Sequence, residues 1–307
     1  MYTNQRTAYG NTLVELGAKD PRIVVLDADL CGSTMGRLFE QAFPERHFEM
    51  GIAEADMVST AAGLAQTGLI PFANTFAVFL TGRAFDQIRQ TIAIGKLNVK
   101  LCGSSCGLSD FTDGATHQTV EDIAIMRAIP NMTVLSPADA NETIEAVKAM
   151  AAFDGPVYMR LNRNDNENIT PEGEPFVIGQ PKVLREGGEV TVFATGYMNH
   201  MALKAAERLE GRVSVRVVNV HTIKPLNDAR IIELSKGMKG VVTAEEHSVV
   251  GGLGGAVAEA LRREPVPVEF VGLPDCFGSS AHRYQDVLDF YDLTVDHVQR
   301  AILSLMN

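Results

Sequence analysis

Short apolar runs alternate with helical patterns along almost the whole chain, and each run opens into a polar loop. Ile23-Val24-Val25-Leu26, His47-Phe48-Glu49-Met50, Ile70 to Asn74, Val99 to Cys102, Met132 to Leu135 and Val157 to Arg160 read as strands. Helical patterns stand between them over residues 4–18, 55–66, 119–128 and 137–153, and from Phe76 and Phe79 through Ile94. Strand–helix alternation of this kind specifies an α/β fold: a parallel sheet with helices on both faces. In such sheets ligands sit beyond the C-terminal ends of the strands. Asp29, Phe76, Asp113, His117 and Arg163 all follow expected strands, so one geometric rule brings them to the same edge.

Residues 164–188 are polar and rich in Pro and Gly, which reads as a linker with a short hairpin. A second, smaller α/β unit follows, with strands at 189–195, 213–220, 240–244 and 268–271. Its helices fall at 198–209, 226–236, 252–263, near 283–290 and at 294–305. The expected boundaries are a first domain over 1–165, a linker over 166–188 and a second domain over 189–307. The length of 307 residues suits two domains, and 46% hydrophobic with 21% charged residues gives ample core.

A formal net charge of −11 argues against nucleic acid or an anionic membrane surface as the main partner. No run reaches the roughly 18 consecutive apolar residues of a membrane span. The N-terminus, MYTNQRTAYG, lacks the apolar core of a signal peptide, so the chain reads as cytoplasmic. The four cysteines form no disulfide framework. Cys102 and Cys106 match neither a CxxC redox pair nor a zinc knuckle, so all four read as reduced thiols and no metal site is expected in this chain.

Glu54 is the focal residue of the first half. It stands where the strand His47–Met50 gives way to a helix rich in small residues. A carboxylate there either complements the helix dipole from the first turn or is held by two rigid elements for chemistry. Gly251-Gly252-Leu253-Gly254-Gly255 opens a helix in the second unit and is not GxGxxG, so close helix–strand packing explains it better than a phosphate cradle. Glu245-Glu246-His247 puts acid and base side by side at a strand end and reads as structural or interfacial.

Three segments carry a resemblance: Phe48 to Gly63 around Glu54, Thr75-Phe76-Ala77-Val78-Phe79, and Asp113-Gly114-Ala115-Thr116-His117-Gln118. Together they resemble the transketolase family, and more closely the C-terminal half of a split transketolase. The resemblance covers nearly the whole chain, with a pyrimidine-binding domain followed by the small C-terminal domain. The β subunits of 2-oxo acid dehydrogenases share the architecture and the Glu but lack the loop motif. Deoxyxylulose phosphate synthases share the loop but carry it on one long chain. A non-catalytic subunit that kept the fold is a further alternative, against which the retained Glu54, phenylalanines, Asp113 and His117 speak.

The resemblance implies thiamine diphosphate as cofactor, with Glu54 hydrogen-bonding its aminopyrimidine and acting with His117 in catalysis. Burial of the carboxyl among Met57, Ile52 and the phenylalanines is expected to raise its pKa. Phe76 and Phe79 are expected to stack on the ring, and Ile52 to line it; a third family aromatic is Gly82 here. Asp29, Asp113 and His117 are implied to contact a sugar, and Arg6, Ser33 and Arg163 to grip the anion at its far end, with Arg160 assisting. Arg6 stands 23 residues before Asp29, as in the family. A family histidine that touches the same anion is Ser105 here, so the tail is a sugar phosphate held more weakly, or a differently shaped anion such as a sulfonate. The metal motif Gly-Asp-Gly is missing, so Mg2+ (or Ca2+) and the diphosphate are expected on a partner, an N-terminal transketolase subunit, in a heterotetramer.

Overall fold

Asn4 starts the first helix by accepting hydrogen bonds from the amides of Arg6 and Thr7, and α1 (Gln5–Lys19) runs from there. In the computed structural model residues 3–306 are described; Met1, Tyr2 and Asn307, the outermost ends of the two expected units, lie outside the described residues. Next come β1 (Ile23–Asp27), the short α2 (Cys31–Thr34), α3 (Gly36–Ala42), β2 (His47–Glu49), α4 (Glu54–Gln66) and β3 (Ile70–Phe76). Two π-helical stretches, Phe79–Arg83 and Ile88–Ala93, flank α5 (Phe85–Gln87). Then follow β4 (Lys100–Ser104), α6 (Asp122–Ala128), β5 (Thr133–Leu135), α7 (Ala140–Ala152) and β6 (Val157–Arg160).

The second half comprises β7 (Lys182–Arg185), β8 (Val190–Ala194), α8 (Met198–Arg208), β9 (Val215–Asn219), β10 (Thr222–Lys224), α9 (Asp228–Ser235), β11 (Gly240–Ser248), α10 (Leu253–Ala260), β12 (Val268–Leu273), α11 (Tyr284–Phe290) and α12 (Val295–Ser304).

The first sheet runs β10-β5-β6-β4-β3-β1-β2 and is parallel except where β10 joins β5 antiparallel. All five residues of β1 are buried, as a strand covered on both faces requires. Alternate β1 residues serve opposite cores. Val24 and Leu26 pack with Met57, Val58 and Ala61 of α4, while Ile23 and Val25 pack with Tyr9, Leu13, Phe39 and Met150. The second sheet runs β12-β11-β8-β9-β7, with β7 antiparallel to β9. Gly252 and Gly254 let α10 lie close on it: a Cβ at Gly254 would come within 2.3 Å of the Phe270 ring, and one at Gly252 within 2.1 Å of a Glu245 carboxyl oxygen. The glycine run is packing, as expected.

Four expectations change. Phe76 ends β3 instead of opening a helix, and the helix after it is largely π-helical. The hairpin expected in the linker does not form; β7 instead adds to the edge of the second sheet. β10, unassigned in the sequence, crosses back to complete the first sheet. Finally, the polar loop into which β4 opens is buried from Gly103 through Asp110 instead of lying free in solvent. All four cysteines are free, and burial pushes the Cys106 thiol up to about 12, which keeps it protonated.

Candidate active site

The cleft forms where β1, β3 and β4 end. Glu54 is the first residue of α4, only 4% exposed, and its Oε1 accepts a hydrogen bond from Arg83 Nη1 at 2.9 Å. Oε2 makes no hydrogen bond among the described residues. The π-helical turn Phe79–Arg83 folds Arg83 back so that its guanidinium carbon lies 4.1 Å from the centre of the Phe79 ring. Phe79 in turn stacks on Phe76, with centroids 5.9 Å apart and planes 17° from parallel. His117 stands edge-on to both rings, at 6.3 Å from Phe76 and 5.3 Å from Phe79, and its Nδ1 lies 2.9 Å from the Thr116 hydroxyl.

Asp29, Ile52, Glu54, Phe79, Arg83 and His117 line one cleft of about 340 Å³. Five of these are residues singled out in the sequence; Phe76 is buried behind Phe79. Asp29 holds a left-handed backbone (φ 57°), and its amide donates to Glu49 Oε1 at 2.6 Å. Ile52 does not bury Glu54 as expected. It is 73% exposed and forms the outer wall, and the carboxylate's nearest polar neighbour is a cation.

The three residues expected to hold an anion are brought together, through backbone carbonyls. Arg6 donates to the Ser33 carbonyl at 2.8 Å and to the Arg163 carbonyl at 3.0 Å. Arg163 forms an ion pair with buried Asp110, which sequence reasoning missed. Burial pushes the Asp110 carboxyl up, Arg163 pulls it down, and Asp113 pushes it up again. The positive charge available to a ligand here is therefore already tempered. Asp113 is exposed. Ser105 is fully buried with φ 55°, and its hydroxyl makes no hydrogen bond, so it does not reach the cleft wall. Arg160 does not assist the anion group: its Nε pairs with Asp122 Oδ2 at 2.9 Å, deep between the two units.

A larger cleft of about 640 Å³ lies away from these residues, lined by Arg127, Lys224, Glu259 and Arg262 among others. Its cations are largely engaged. Lys224 donates to the carbonyls of Arg127 and Ile129, and Arg127 pairs with Glu259 and the Gly251 carbonyl. Among the described residues there is no group of three or more His, Cys, Asp or Glu side chains placed to hold a metal, and no helix is long and apolar enough to cross a membrane.

A carboxylate at a strand–helix junction, a stacked aromatic pair and an edge-on histidine around one cleft are the parts that a flat, hydrogen-bonding ring needs. The family model for the transketolase pyrimidine-binding domain matches residues 2–167, and that for the transketolase C-terminal domain matches residues 179–298. The chain belongs to the transketolase family. It is 45% identical over 275 residues to "6-deoxy-6-sulfo-D-fructose transketolase subunit SqwH" of Clostridium sp. (strain MSTE9), covering 89% of this chain and 85% of that protein. It is 41% identical to human transketolase over 85% of its own length but only 42% of that protein's. A solved chain described as "Split gene transketolase, inactive beta4 tetramer" superposes with a TM-score of 0.91 at 46% identity, over 98% of each chain. Transketolases use thiamine diphosphate and a divalent metal, and this chain aligns with their pyrimidine-binding and C-terminal domains.

Proposed function

We propose that this chain is the pyrimidine-binding subunit of a two-component, thiamine-diphosphate-dependent transketolase. It moves a two-carbon ketol unit between anionic ketose and aldose sugars, in a heterotetramer with an N-terminal subunit that holds the diphosphate and Mg2+ (or Ca2+). The observation that carries this reading is the seating of buried Glu54 beside the stacked Phe76–Phe79 pair, with His117 edge-on, in one cleft at the C-terminal edge of a parallel sheet.

The residues present fit the cofactor's aminopyrimidine. Phe79, backed by Phe76, offers a flat apolar face, and Ile52 a second apolar wall. Glu54 keeps Oε2 for a ring nitrogen and can hold or release the shared proton there. When bound, thiamine diphosphate supplies the electron sink that makes breaking a carbon–carbon bond beside a carbonyl feasible. The chain's own residues then orient the sugar. His117 is the residue that would donate to the reacting carbonyl, since an imidazole can both give and take a proton. Asp29 and Asp113 accept from sugar hydroxyls. Arg6, Ser33 and Arg163 steady the anionic tail, with Asp110 limiting how much charge they offer. The Clostridium relative is named for a sulfosugar, which supports considering a sulfonate beside phosphate as the tail. The missing Gly-Asp-Gly motif supports assigning the metal to the partner.

The test is reconstitution with an N-terminal transketolase subunit, thiamine diphosphate and Mg2+. Ketol transfer from fructose 6-phosphate, xylulose 5-phosphate or a 6-sulfo-fructose to an aldose phosphate is expected. Carbon dioxide release from a 2-oxo acid without ketol transfer, or tight Mg2+-dependent cofactor binding by the chain alone, overturns the reading.

A further inference from the structure

The loop that carries Asp113 and His117 is shaped by the second unit. Leu108 N donates to Oε1 of Glu246 at 2.7 Å, across 138 residues of sequence. Ala281 N donates to the Phe111 carbonyl at 2.8 Å. Gln118 Nε2 reaches the carbonyls of Leu108, Asp110 and Ser279 at 3.3, 3.1 and 3.0 Å. A Cβ at Gly114 would already stand 3.0 Å from the Ser280 amide. The buried anchoring half of the loop therefore lies against residues 246 and 278–281, and only its tip, around Asp113, is exposed.

Glu246 is the centre of this contact. It is 4% exposed and enters a notch that exists because residue 107 is glycine: Gly107 has φ 59°, and a Cβ there would lie 2.6 Å from the Glu246 carboxyl carbon. Its Oε2 lies 3.4 Å from Asn162 Nδ2, which also donates to the Tyr284 hydroxyl at 2.9 Å. Its own backbone carbonyl accepts from the Arg160 guanidinium at 3.4 and 3.3 Å, and Arg160 is locked by Asp122. Side chains of β6 and the residue just past it, of α6 and of α11 thus fix the residue that in turn fixes the Leu108 amide. A buried amide that loses its acceptor has no water to replace it, so the turn must open or carry the full desolvation cost.

We propose that Glu246 is a positioning residue for the substrate loop, and that the second unit serves as the template on which loop 103–117 takes its working shape. The inference rests on the roles proposed above for Asp113 and His117. It gives the second unit a task in a cleft to which it contributes no wall.

Hydrogen exchange on the full chain reads the tether without reference to activity. Glu246→Ala is expected to speed exchange across 103–117 about ten-fold or more, while β1, β3 and β8 stay protected. Glu246→Gln keeps an oxygen acceptor for Leu108 and is expected to stay within about three-fold of wild type. In the complex with the partner subunit, Glu246→Ala should raise the donor KM about ten-fold with a smaller fall in kcat, and Glu246→Gln should restore it. If Glu246→Ala does not fold, Gly107→Ala tests the same contact from the loop side, because its methyl meets the carboxyl. Unchanged loop exchange in Glu246→Ala, or in Gly107→Ala where Glu246→Ala does not fold, overturns the proposal, as does equal loosening of the whole second unit in Glu246→Ala and Glu246→Gln. Asp113→Asn separates the two readings. If it leaves the donor KM unchanged, the loop's substrate role is wrong, while the exchange result still decides the tether.

Discussion

Arg83 and Glu54 close the mouth of the cleft on each other: Nη1 lies 2.9 Å from Oε1, with 5% of the carboxylate side chain and 52% of the guanidinium side chain exposed. The same guanidinium covers Phe79 at 4.1 Å. One planar cation thus holds one carboxylate oxygen, leaving Oε2 for the aminopyrimidine, and covers the aromatic face that the ring is proposed to use. A bound ring must push it aside. A half-exposed pair of this kind contributes about 0.2–1 kcal/mol. Arg83→Ala is therefore expected to leave the melting temperature within about 2 °C. It should also tighten thiamine diphosphate binding in the partner complex by up to about five-fold. Calorimetric titration of both proteins checks this; weaker binding by the variant would mean that Arg83 supports the ring instead of competing with it.

Glu54→Gln keeps the size of the side chain and an oxygen for Arg83 but removes the group that shares a proton. Turnover in the reconstituted complex should fall by about two to four orders of magnitude. Unfolding free energy should change by no more than about 1 kcal/mol, because the ion pair that weakens is half exposed. Initial rates at saturating cofactor, alongside denaturant melts, separate the two quantities. A variant that turns over within a few-fold of wild type would take Glu54 out of the chemistry.

Much of this arrangement was legible in the residues. The apolar runs of four or five residues became the buried parallel strands, and their shared C-terminal edge is why Asp29, Ile52, Glu54, Phe79 and His117 meet in one cleft. Arg83 was not legible. A single arginine in a helical pattern reads as surface, and its place depends on a π-helical turn, a hydrogen-bonding choice that hydrophobic period does not encode. Asp110 was missed for a related reason: its partner Arg163 comes from beyond a different strand. The burial of loop 103–110 comes from Glu246 and Gln118 with the 278–281 segment, so its Gly- and Ser-rich sequence reads as free chain until those contacts are known. β7 and β10 are three or four residues long and take their strand identity from the sheet edges they join.

Two buried carboxyls set a pH dependence of stability. Burial pushes both Glu142 and Glu246 up to about 7 from 4.5; Ala138 and Asn219 pull Glu142 back in part, and Arg160 does the same for Glu246. Between those values the folded chain holds protons that the unfolded chain has released. The stability they contribute is therefore fully present below the unfolded pKa and is lost as pH rises to and past about 7. The loss should be on the order of 1–3 kcal/mol for each group. Glu142→Gln stays neutral at every pH, so its unfolding free energy should fall less than that of wild type between about pH 5 and 8. Denaturant melts across that range measure the difference, and parallel curves for the two proteins would contradict the assignment to Glu142.

The resemblance puts a family histidine that touches the substrate anion at position 105, and the burial of Ser105 bears on what a histidine there should do. Its backbone is left-handed at φ 55°, the residue is fully buried, and its hydroxyl makes no hydrogen bond among the described residues. A histidine ring has no room there without displacing neighbours. Overpacking of that kind costs about 1–3 kcal/mol. Ser105→His is therefore expected to lower stability by that amount before it can bring a donor to the anion. Ser105→Gly relieves the left-handed strain and removes the unbonded hydroxyl, and should raise stability by about 1 kcal/mol or more. Denaturant midpoints for both variants, with donor KM values in the partner complex, test the argument. If Ser105→His is as stable as wild type and lowers the KM for phosphorylated donors about ten-fold, the position opens to the cleft and reads the anion directly.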